Sequence, residues 1–165
     1  MGKTAALASG LALPLYVPGA VLGKQGQVAP SNRIHLGQIG LGVMGRGHVR
    51  RLAYDKTVAL LAICDVDRQR LQDQEENVSI IYKDKRCKAY NDYQEILARD
   101  DIDGVVIVTP DHWHTPQAMD AAKAGKDIYC EKPVSIGVNE GRALAQTVRK
   151  HGRIFQTGTQ YCSIP

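Results

Sequence analysis

From Arg33 onward, short apolar runs alternate with segments of helical periodicity, and this alternation is the feature that most restricts the possible folds. The apolar runs are rich in Val, Ile and Leu. Residues 57–65 form an almost continuous run, which is typical of a strand covered by helices on both faces. Strands that alternate with helices build parallel sheets from βαβ units. The sequence therefore predicts an α/β protein with a doubly wound parallel sheet.

The same pattern sets approximate bounds for the elements. Strands are predicted at residues 34–40, 57–65, 104–110, 127–130 and 153–158. Helices are predicted at residues 43–54, 67–77, 92–98, 114–125 and 138–152, and residues 80–90 are expected to be irregular. In the fourth of these helices, Thr115 is expected to be the N-cap, with Pro116 at the first helical position and Gly125 at the end.

The first part of the chain differs in composition from the rest. We assign residues 1–32 to an export-signal-like segment and a linker, and residues 33–165 to the folded domain. Residues 5–22 are apolar and uncharged, but glycines and prolines interrupt them, so no stable membrane span is expected. The segment resembles the downstream part of a twin-arginine export signal without its Arg pair. We expect an exported or periplasmic protein if that pair lies upstream, and a cytoplasmic one otherwise.

Charge and cysteine spacing argue against two classes of protein. The formal net charge of +4 is modest, and the basic residues are spread along the chain without interleaved aromatic residues, so no nucleic-acid partner is expected. The cysteines show no C-x-x-C pair and no metal-finger spacing, which indicates free thiols. They are Cys64, Cys87, Cys130 and Cys162.

A glycine-rich turn, G-x-G-x-x-G, lies between the first predicted strand and the first predicted helix. Its glycines are Gly40, Gly42 and Gly45, and Val43 and Met44 lie between the last two. In this context the first glycine permits a tight turn, the second lets the backbone approach a diphosphate, and the third lets helix pack on strand. We predict that all five residues bind a dinucleotide. No Gly-Lys-Ser/Thr follows, which excludes a P-loop, whereas a methyltransferase is still compatible with this turn.

Asp65 ends the second predicted strand, twenty residues beyond Gly45. At this position an acid accepts hydrogen bonds from the adenosine ribose hydroxyls and repels a 2′-phosphate. The alternative role is that of a capping carboxylate for the helix that begins at Asp67. We favour the ribose role, which predicts NAD as the cofactor. NADP stays an alternative, because the nearby Arg68 could partly neutralise a 2′-phosphate.

The segment TPDHWH, residues 109–114, ends a strand that lies beside the first one in the usual strand order. Ligands bind at this point of a doubly wound sheet, so these side chains are expected to line the crevice. We predict cofactor contacts from Thr109, Pro110, Trp113 and His114. The His-x-His pair lacks an identifiable third ligand, so no metal site is predicted.

Glu131, Lys132 and Pro133 follow the apolar strand DIYC, at the edge that carries the glycine turn. A lysine there lies near the nicotinamide end of a bound dinucleotide, where it can polarise a substrate hydroxyl or take its proton. We predict that Lys132 is catalytic, that it contacts the cofactor together with Glu131, and that Glu131 orients it. Pro133 is expected to fix the turn, and the Lys132–Pro133 bond is a candidate for the cis form. Without the other motifs, the triplet would be read as a charged surface turn.

These stretches together resemble the glucose–fructose oxidoreductase / inositol dehydrogenase (Gfo/Idh/MocA) family. The resemblance rests on GLGVMGRGHVRRL, on TPDHWHTPQAMDAAKAGKDIYCEKP and on the export-signal-like start, and it extends over residues 33–165. It implies a Rossmann domain that binds NAD or NADP, followed by an α/β substrate domain. It also implies an oxidoreductase that acts on the CH–OH group of a sugar, polyol or related small molecule. Lys132 would be its catalytic lysine, and the whole enzyme would form a homo-oligomer.

One departure from the family concerns the substrate site. Members carry an Asp-x-x-x-His pair in the substrate domain, and no such pair occurs in this sequence. We therefore expect the cofactor half of a longer enzyme, inactive by itself. Two alternatives stay open, namely an NAD-dependent glycosidase that oxidises its sugar transiently and a non-catalytic NAD-binding module.

Overall fold

The computed structural model describes residues 28–159. The export-signal-like segment at residues 5–22 and Cys162 lie outside the described residues, so the expectations for them stay predictions. Within the described range a short 3₁₀ turn, Pro30–Asn32, precedes the first strand. No helix in this range is both long and apolar enough to cross a membrane.

The described residues form one six-stranded sheet with helices between the strands. The strands are β1 Ile34–Ile39, β2 Val58–Cys64, β3 Lys88–Tyr90, β4 Gly104–Ile107, β5 Asp127–Glu131 and β6 Phe155–Gly158. The helices are α1 Val43–Tyr54, α2 Arg68–Tyr82, α3 Tyr93–Leu97, α4 Asp111–Lys123 and α5 Val138–Lys150. Neighbouring strands are all parallel, in the order β3-β2-β1-β4-β5-β6. The predicted doubly wound α/β fold is confirmed, and the strand order reverses between β1 and β4.

Two buried clusters cover the sheet. In β2, Cys64 belongs to the first cluster and Ile63 to the second, because successive strand residues point to opposite faces. The first cluster includes Ala121 of α4, and the second includes Val49 of α1. Helices therefore cover both faces of β2, which explains its almost continuous apolar sequence.

The region after residue 77 is more regular than the sequence predicts. α2 continues to Tyr82, and β3 occupies Lys88–Tyr90 in the stretch expected to be irregular. The added helical turn is stabilised because Val78 is fully buried and the Tyr82 hydroxyl accepts a 2.9 Å hydrogen bond from the Leu60 N–H. These contacts join distant segments of the chain, and local periodicity carries no information about them.

The predicted start of α4 was wrong. Asp111 is the first helical residue and Pro110 is the N-cap, so Pro116 lies inside the helix. The Thr-Pro pair matched the usual cap pattern, but an acidic residue in the first turn also favours the earlier start, through the helix dipole. Thr115 is buried, and its hydroxyl donates a 2.9 Å hydrogen bond to the Val134 carbonyl instead of capping the helix.

Candidate functional site

A cleft of about 640 Å³ lies at the carboxyl ends of β1, β2 and β4, where the strand order reverses. Most of the residues that we predicted to contact a cofactor are in its wall, namely Gly40, Gly42, Val43, Met44, Asp65, Thr109, Pro110 and Trp113. The remaining predicted contacts, Gly45, His114, Glu131 and Lys132, are not among the residues that line this cleft.

The glycine turn depends on two close approaches that a side chain would prevent. Gly40 has a φ of 95°, and a Cβ there would lie 2.4 Å from the Val108 carbonyl oxygen. A Cβ on Gly45 would lie 2.2 Å from the Gly40 carbonyl oxygen. At Gly42 the nearest atom to a Cβ would be Arg70 Nη1, at 3.9 Å, so this part of the turn is open. A ligand can approach the backbone there, at the start of α1, where the first N–H groups have no intrahelical partners.

Gln38 holds the glycine turn against the sheet. It lies in β1, is fully buried, and donates hydrogen bonds from its side-chain nitrogen to the carbonyls of Gly40 at 3.0 Å and Gly45 at 2.7 Å. These two bonds tie the first and last glycines of the motif to one strand residue. Gln38 was not among the predicted site residues. A lone amide in an apolar strand was a usable signal for it, since buried polar groups need partners.

Asp65 joins the end of β2 to the glycine turn. Its carboxylate accepts hydrogen bonds from the backbone N–H groups of Leu41 at 2.7 Å and Asp67 at 2.9 Å. A carboxylate has about four acceptor positions, so capacity for ribose hydroxyls is left. The capping role that we weighed as the alternative belongs to Asp67, whose side chain accepts from the N–H groups of Gln69 and Arg70.

Part of the wall comes from residues that the sequence analysis did not identify as cofactor contacts. They follow β2, β3 and β4, and they include Val66, Arg70, Asn91, Asp92, Tyr93, His112 and Gln117. The Asn91 side chain donates a 2.9 Å hydrogen bond to the Asp65 carbonyl, so the end of β3 lies beside the predicted ribose carboxylate. Because β3 was not predicted, its contribution to this edge of the sheet could not be predicted either.

The TPDHWH segment is divided between the cleft and the interior. Trp113 is 45% exposed and lines the cleft together with His112. His114 is 1% exposed, and its Nδ1 and Nε2 lie 2.7 Å from the Pro133 carbonyl oxygen and 2.8 Å from the Thr109 carbonyl oxygen. The His114 ring therefore joins the turn after β4 to the loop after β5. Within the part of the chain that the structure describes, no three His, Cys, Asp or Glu side chains are grouped so as to hold a metal ion.

The Glu-Lys-Pro triplet lies at the end of β5. The Lys132 side chain is exposed, and the Lys132–Pro133 bond is cis. Glu131 is buried, and its Oε1 accepts hydrogen bonds from His48 Nε2 at 2.9 Å and from the Tyr129 hydroxyl at 3.3 Å. Its Oε2 accepts one from the Lys132 backbone N–H at 3.3 Å. The carboxylate thus makes a contact with helix α1 that the sequence analysis did not predict.

The wall of the cleft fits a dinucleotide. A diphosphate needs backbone N–H groups with no side chain in front of them, and the open turn at Gly42 at the start of α1 meets this requirement. A ribose needs an acceptor at the end of β2, where Asp65 lies. Apolar surface for the rings comes from Val66 and Trp113.

Comparison with known proteins agrees with this fit. The family described as "Oxidoreductase family, NAD-binding Rossmann fold" (Gfo/Idh/MocA) matches residues 34–159. The chain belongs to the Gfo/Idh/MocA family. Its described residues are the family's NAD-binding Rossmann domain, so the predicted fold, family and cofactor are confirmed.

Solved structures of Gfo/Idh/MocA relatives superimpose well on this domain. Scyllo-inositol dehydrogenase from Lactobacillus casei, with bound NAD(H) and scyllo-inositol, has a TM-score of 0.72 and 25% identity, over 80% of this chain and 38% of that chain. GenD2 from gentamicin A biosynthesis, in complex with NAD, has a TM-score of 0.68 and 27% identity, over 77% of this chain and 34% of that chain.

Curated relatives show a comparable similarity in sequence. The α-N-acetylgalactosaminidase of Shewanella oneidensis is 38% identical over 132 residues, which are 76% of this chain and 28% of that protein. The uncharacterized oxidoreductase YrbE of Bacillus subtilis is 33% identical over 128 residues, 78% of this chain and 36% of that protein. The chain thus spans about a third of the length of these Gfo/Idh/MocA relatives.

Proposed function

We propose that this Gfo/Idh/MocA domain serves an enzyme that oxidises or reduces the CH–OH group of a sugar, polyol or related compound, with Lys132 assisting proton transfer. One observation carries the proposal. The sheet is parallel, and Lys132 follows β5 at the same carboxyl edge that holds the glycine turn and the NAD cleft. The similarity to scyllo-inositol dehydrogenase and to myo-inositol 2-dehydrogenase supports a polyhydroxylated substrate.

The wall residues divide the work of holding NAD. The backbone at Gly42 and the start of α1 hold the diphosphate, because the N–H groups and the helix dipole both favour an anion there. Asp65 accepts hydrogen bonds from the adenosine ribose and disfavours a 2′-phosphate, so NAD is preferred over NADP. Trp113, with Thr109 and Pro110, forms the wall of the cleft after β4.

Lys132 transfers the proton in the proposed reaction. When bound, NAD supplies the carbon that accepts or donates the hydride. During oxidation the neutral Lys132 amine takes the hydroxyl proton as the hydride leaves, and during reduction the Lys132 ammonium gives a proton to the carbonyl oxygen. In both directions the positive charge on the protonated lysine stabilises negative charge on that oxygen in the transition state. The proton exchanges with the solvent, to which the Lys132 side chain is exposed.

An NAD-dependent glycosidase is the second candidate, and the similarity to the α-N-acetylgalactosaminidase of Shewanella oneidensis favours it. Such an enzyme oxidises its sugar transiently and regenerates the cofactor within one turnover. The same domain and the same lysine would serve either reaction, so the two candidates differ in the net product.

A two-part assay of the natural protein separates these candidates. With NAD and a panel of inositols, hexoses and amino sugars, net formation of NADH is expected for a dehydrogenase. Release of nitrophenol from nitrophenyl α-N-acetylgalactosaminide, dependent on NAD but without net NADH, would identify the glycosidase. NAD binding with neither product would overturn both and leave a non-catalytic NAD-binding module.

We also propose export for the natural protein if an Arg pair precedes the export-signal-like segment, and a homo-oligomeric state for the whole enzyme, as the family resemblance implies. The apolar, uncharged composition of residues 5–22 supports export. Cell fractionation with a periplasmic marker tests the first proposal, and light scattering after size-exclusion chromatography tests the second. Recovery in the cytoplasmic fraction, or the mass of a monomer, would contradict them respectively.

A further inference from the structure

A buried carboxylate connects helix α1 to the loop that follows β5 and begins at Lys132, outside the NAD cleft. We call this segment the Lys132 loop. Glu131 is 4% exposed, and its Oε1 accepts hydrogen bonds from His48 Nε2 at 2.9 Å and the Tyr129 hydroxyl at 3.3 Å. His48 is itself 6% exposed and lies in α1. Because both side chains are almost completely buried, removing the His48 N–H takes a hydrogen bond from a carboxylate that water reaches poorly, and this is costly.

The tautomer of His48 follows from its two neighbours. Arg51 Nη2 lies 3.1 Å from His48 Nδ1, and a guanidinium can only donate, so Nδ1 must accept. Nε2 then carries the proton and donates it to the carboxylate of Glu131. Arg51 thus fixes the imidazole in the one neutral form that can bind Glu131.

Strand β6 lies directly against the Glu131 carboxylate. Gly158 of β6 is paired with Glu131, and a Cβ there would lie 2.8 Å from the Glu131 Cδ and 2.8 Å from the Tyr129 hydroxyl. The carboxylate therefore lies close to β6 as well as to α1. Its Oε2 accepts the hydrogen bond from the Lys132 backbone N–H at 3.3 Å.

We infer that His48 is a positioning residue that sets, through Glu131, the place of the Lys132 loop relative to helix α1. The start of α1 carries the glycine turn of the NAD cleft, and His48 lies further along the same helix. One short chain of hydrogen bonds thus links the element that holds the diphosphate to the residue that handles the substrate proton. Its importance for catalysis rests on the proposed function of Lys132, but the link itself does not.

Two variants of His48 test the hydrogen-bonded link from α1 to the Lys132 loop, because their side-chain amides differ in whether they can reach Glu131. His48→Gln keeps an N–H donor at the place of Nε2, whereas the shorter His48→Asn places its amide at the position of Nδ1 and cannot reach Glu131. Amide hydrogen exchange of Lys132 should be at least about fivefold faster in His48→Asn than in the wild type, and within about twofold of the wild type in His48→Gln. Exchange of the Ile63 amide in β2 serves as the internal control for global unfolding.

The same samples show whether the effect of NAD binding on Lys132 depends on the hydrogen bond between His48 and Glu131. In the wild type, NAD binding should shift the Lys132 amide resonance, and this shift should be retained in His48→Gln and reduced in His48→Asn. Equal Lys132 exchange in the wild type and His48→Asn would overturn the inference.

A measurement on the wild type keeps the inference testable if the His48 variants fail to fold. The ¹⁵N shifts of the ring should show a protonated Nε2 and an unprotonated Nδ1. The opposite tautomer would overturn the inference, since Nε2 could then not donate to Glu131. None of these readouts uses turnover, so an inactive or unaffected Lys132 variant would bear on the proposed function alone.

Discussion

The backbone N–H of Leu41 donates a 2.7 Å hydrogen bond to the carboxylate of Asp65. Leu41 lies within the glycine turn after β1, and Asp65 follows β2, so one side chain ties together the two turns that form this end of the NAD cleft. The residue predicted to select the cofactor therefore also shapes the turn that we propose holds its diphosphate. Substitutions of Asp65 have to separate these two roles.

Asp65→Asn should change cofactor preference while keeping the hydrogen bond to the glycine turn. The amide oxygen still accepts the Leu41 N–H, whereas the amide nitrogen cannot accept the Asp67 N–H that the second carboxylate oxygen binds. The charge that strengthens ribose binding and repels a 2′-phosphate is lost. Hydrogen bonds to a charged group contribute about 1.5–3 kcal/mol, so we expect the ratio of NAD to NADP affinity to fall at least about tenfold. Isothermal titration with both cofactors measures this ratio.

Asp65→Ala provides the comparison. It removes the acceptor for Leu41 as well, so both affinities should fall, and NAD should lose more than NADP. An equal loss for the two cofactors would leave Asp65 with the turn-shaping role only.

Gly45→Ala should damage the NAD site, and Gly47→Ala in the same helix is its matched control. A Cβ at residue 45 would meet the Gly40 carbonyl oxygen at 2.2 Å, whereas a Cβ at residue 47 would have no heavy atom within 4 Å. We expect Gly45→Ala to lower the free energy of unfolding by about 1–3 kcal/mol, because the turn must move. We expect Gly47→Ala to raise it by about 0.5–1 kcal/mol, since Ala favours helix.

NAD titration and urea unfolding of the two variants give the readout. NAD affinity should fall only in Gly45→Ala. Equal NAD affinity in both variants would mean that the close approach of Gly45 to Gly40 does not shape the site.

The features that could be predicted from sequence are those encoded over short distances along the chain. The close approach of Gly45 to the Gly40 carbonyl lies within a segment of six residues, and the strand and helix of the motif lie on either side of it. Asp65 was found because the fold places an acid at the end of β2 at a nearly fixed distance along the chain. The carboxyl edge of a parallel sheet then brought TPDHWH and Lys132 to the same end of the domain.

Gln38 lies only seven positions from Gly45, and its lone amide in an apolar strand was a local signal that was not used. The other missed features depend on contacts between distant segments. His48 bonds to Glu131 across 83 positions of sequence, so no local pattern reports this pair. The short strand β3 was missed for the same reason, since it is defined by pairing with β2 and has only three residues. His114 was placed beside the cofactor because it adjoins Trp113, but the turn of the helix directs it inward.

The three cysteines in the described residues should be unreactive in the folded protein. Burial raises the pKa of the Cys64, Cys87 and Cys130 thiols to about 12. Only about one thiol in ten thousand is then ionised at about pH 8, and the thiolate is the reactive form. In a Cys162→Ser variant, labelling by Ellman's reagent should be at least about 100-fold slower under native conditions than in urea. Rapid native labelling of a peptide that contains one of these cysteines would contradict their burial.

His48 should make the folded state less stable as the pH falls below neutrality. Burial is the main cause that lowers its pKa and the Arg51 charge lowers it further, although the hydrogen bond that His48 donates to Glu131 opposes both. The unfolded chain then takes up a proton near pH 6.5 while the native imidazole stays neutral, so stability is fully present above that pH. It is lost as the pH falls toward the lower pKa of the folded state.

Urea unfolding at about pH 7.5 and about pH 5.5 measures the free energy of unfolding above and below the pKa of histidine in the unfolded chain. His48→Gln, which keeps the donor to Glu131 but does not titrate, should reduce the difference between the two pH values. If the free energy of unfolding differs between the two pH values as much in His48→Gln as in the wild type, groups other than His48 cause the acid sensitivity.

Lys132→Ala should abolish most of the turnover of the natural protein and leave NAD affinity nearly unchanged. The lysine follows β5 at the edge of the NAD cleft and does not line the cleft itself, so its removal takes away the proposed proton-transfer group and leaves the wall of the cleft intact. A positioned acid–base group contributes about 100-fold or more to turnover. Lys132→Arg should not restore it, because a guanidinium stays protonated and is planar.

Lys123→Ala is the matched control, since Lys123 is an exposed lysine of α4 that pairs with Asp120 at 3.0 Å, and it should keep normal turnover. Turnover is measured with the substrate identified in the NADH or nitrophenol assay. If Lys132→Ala keeps turnover near the wild-type level, Lys132 is not catalytic and the Glu-Lys-Pro triplet is only a charged surface turn.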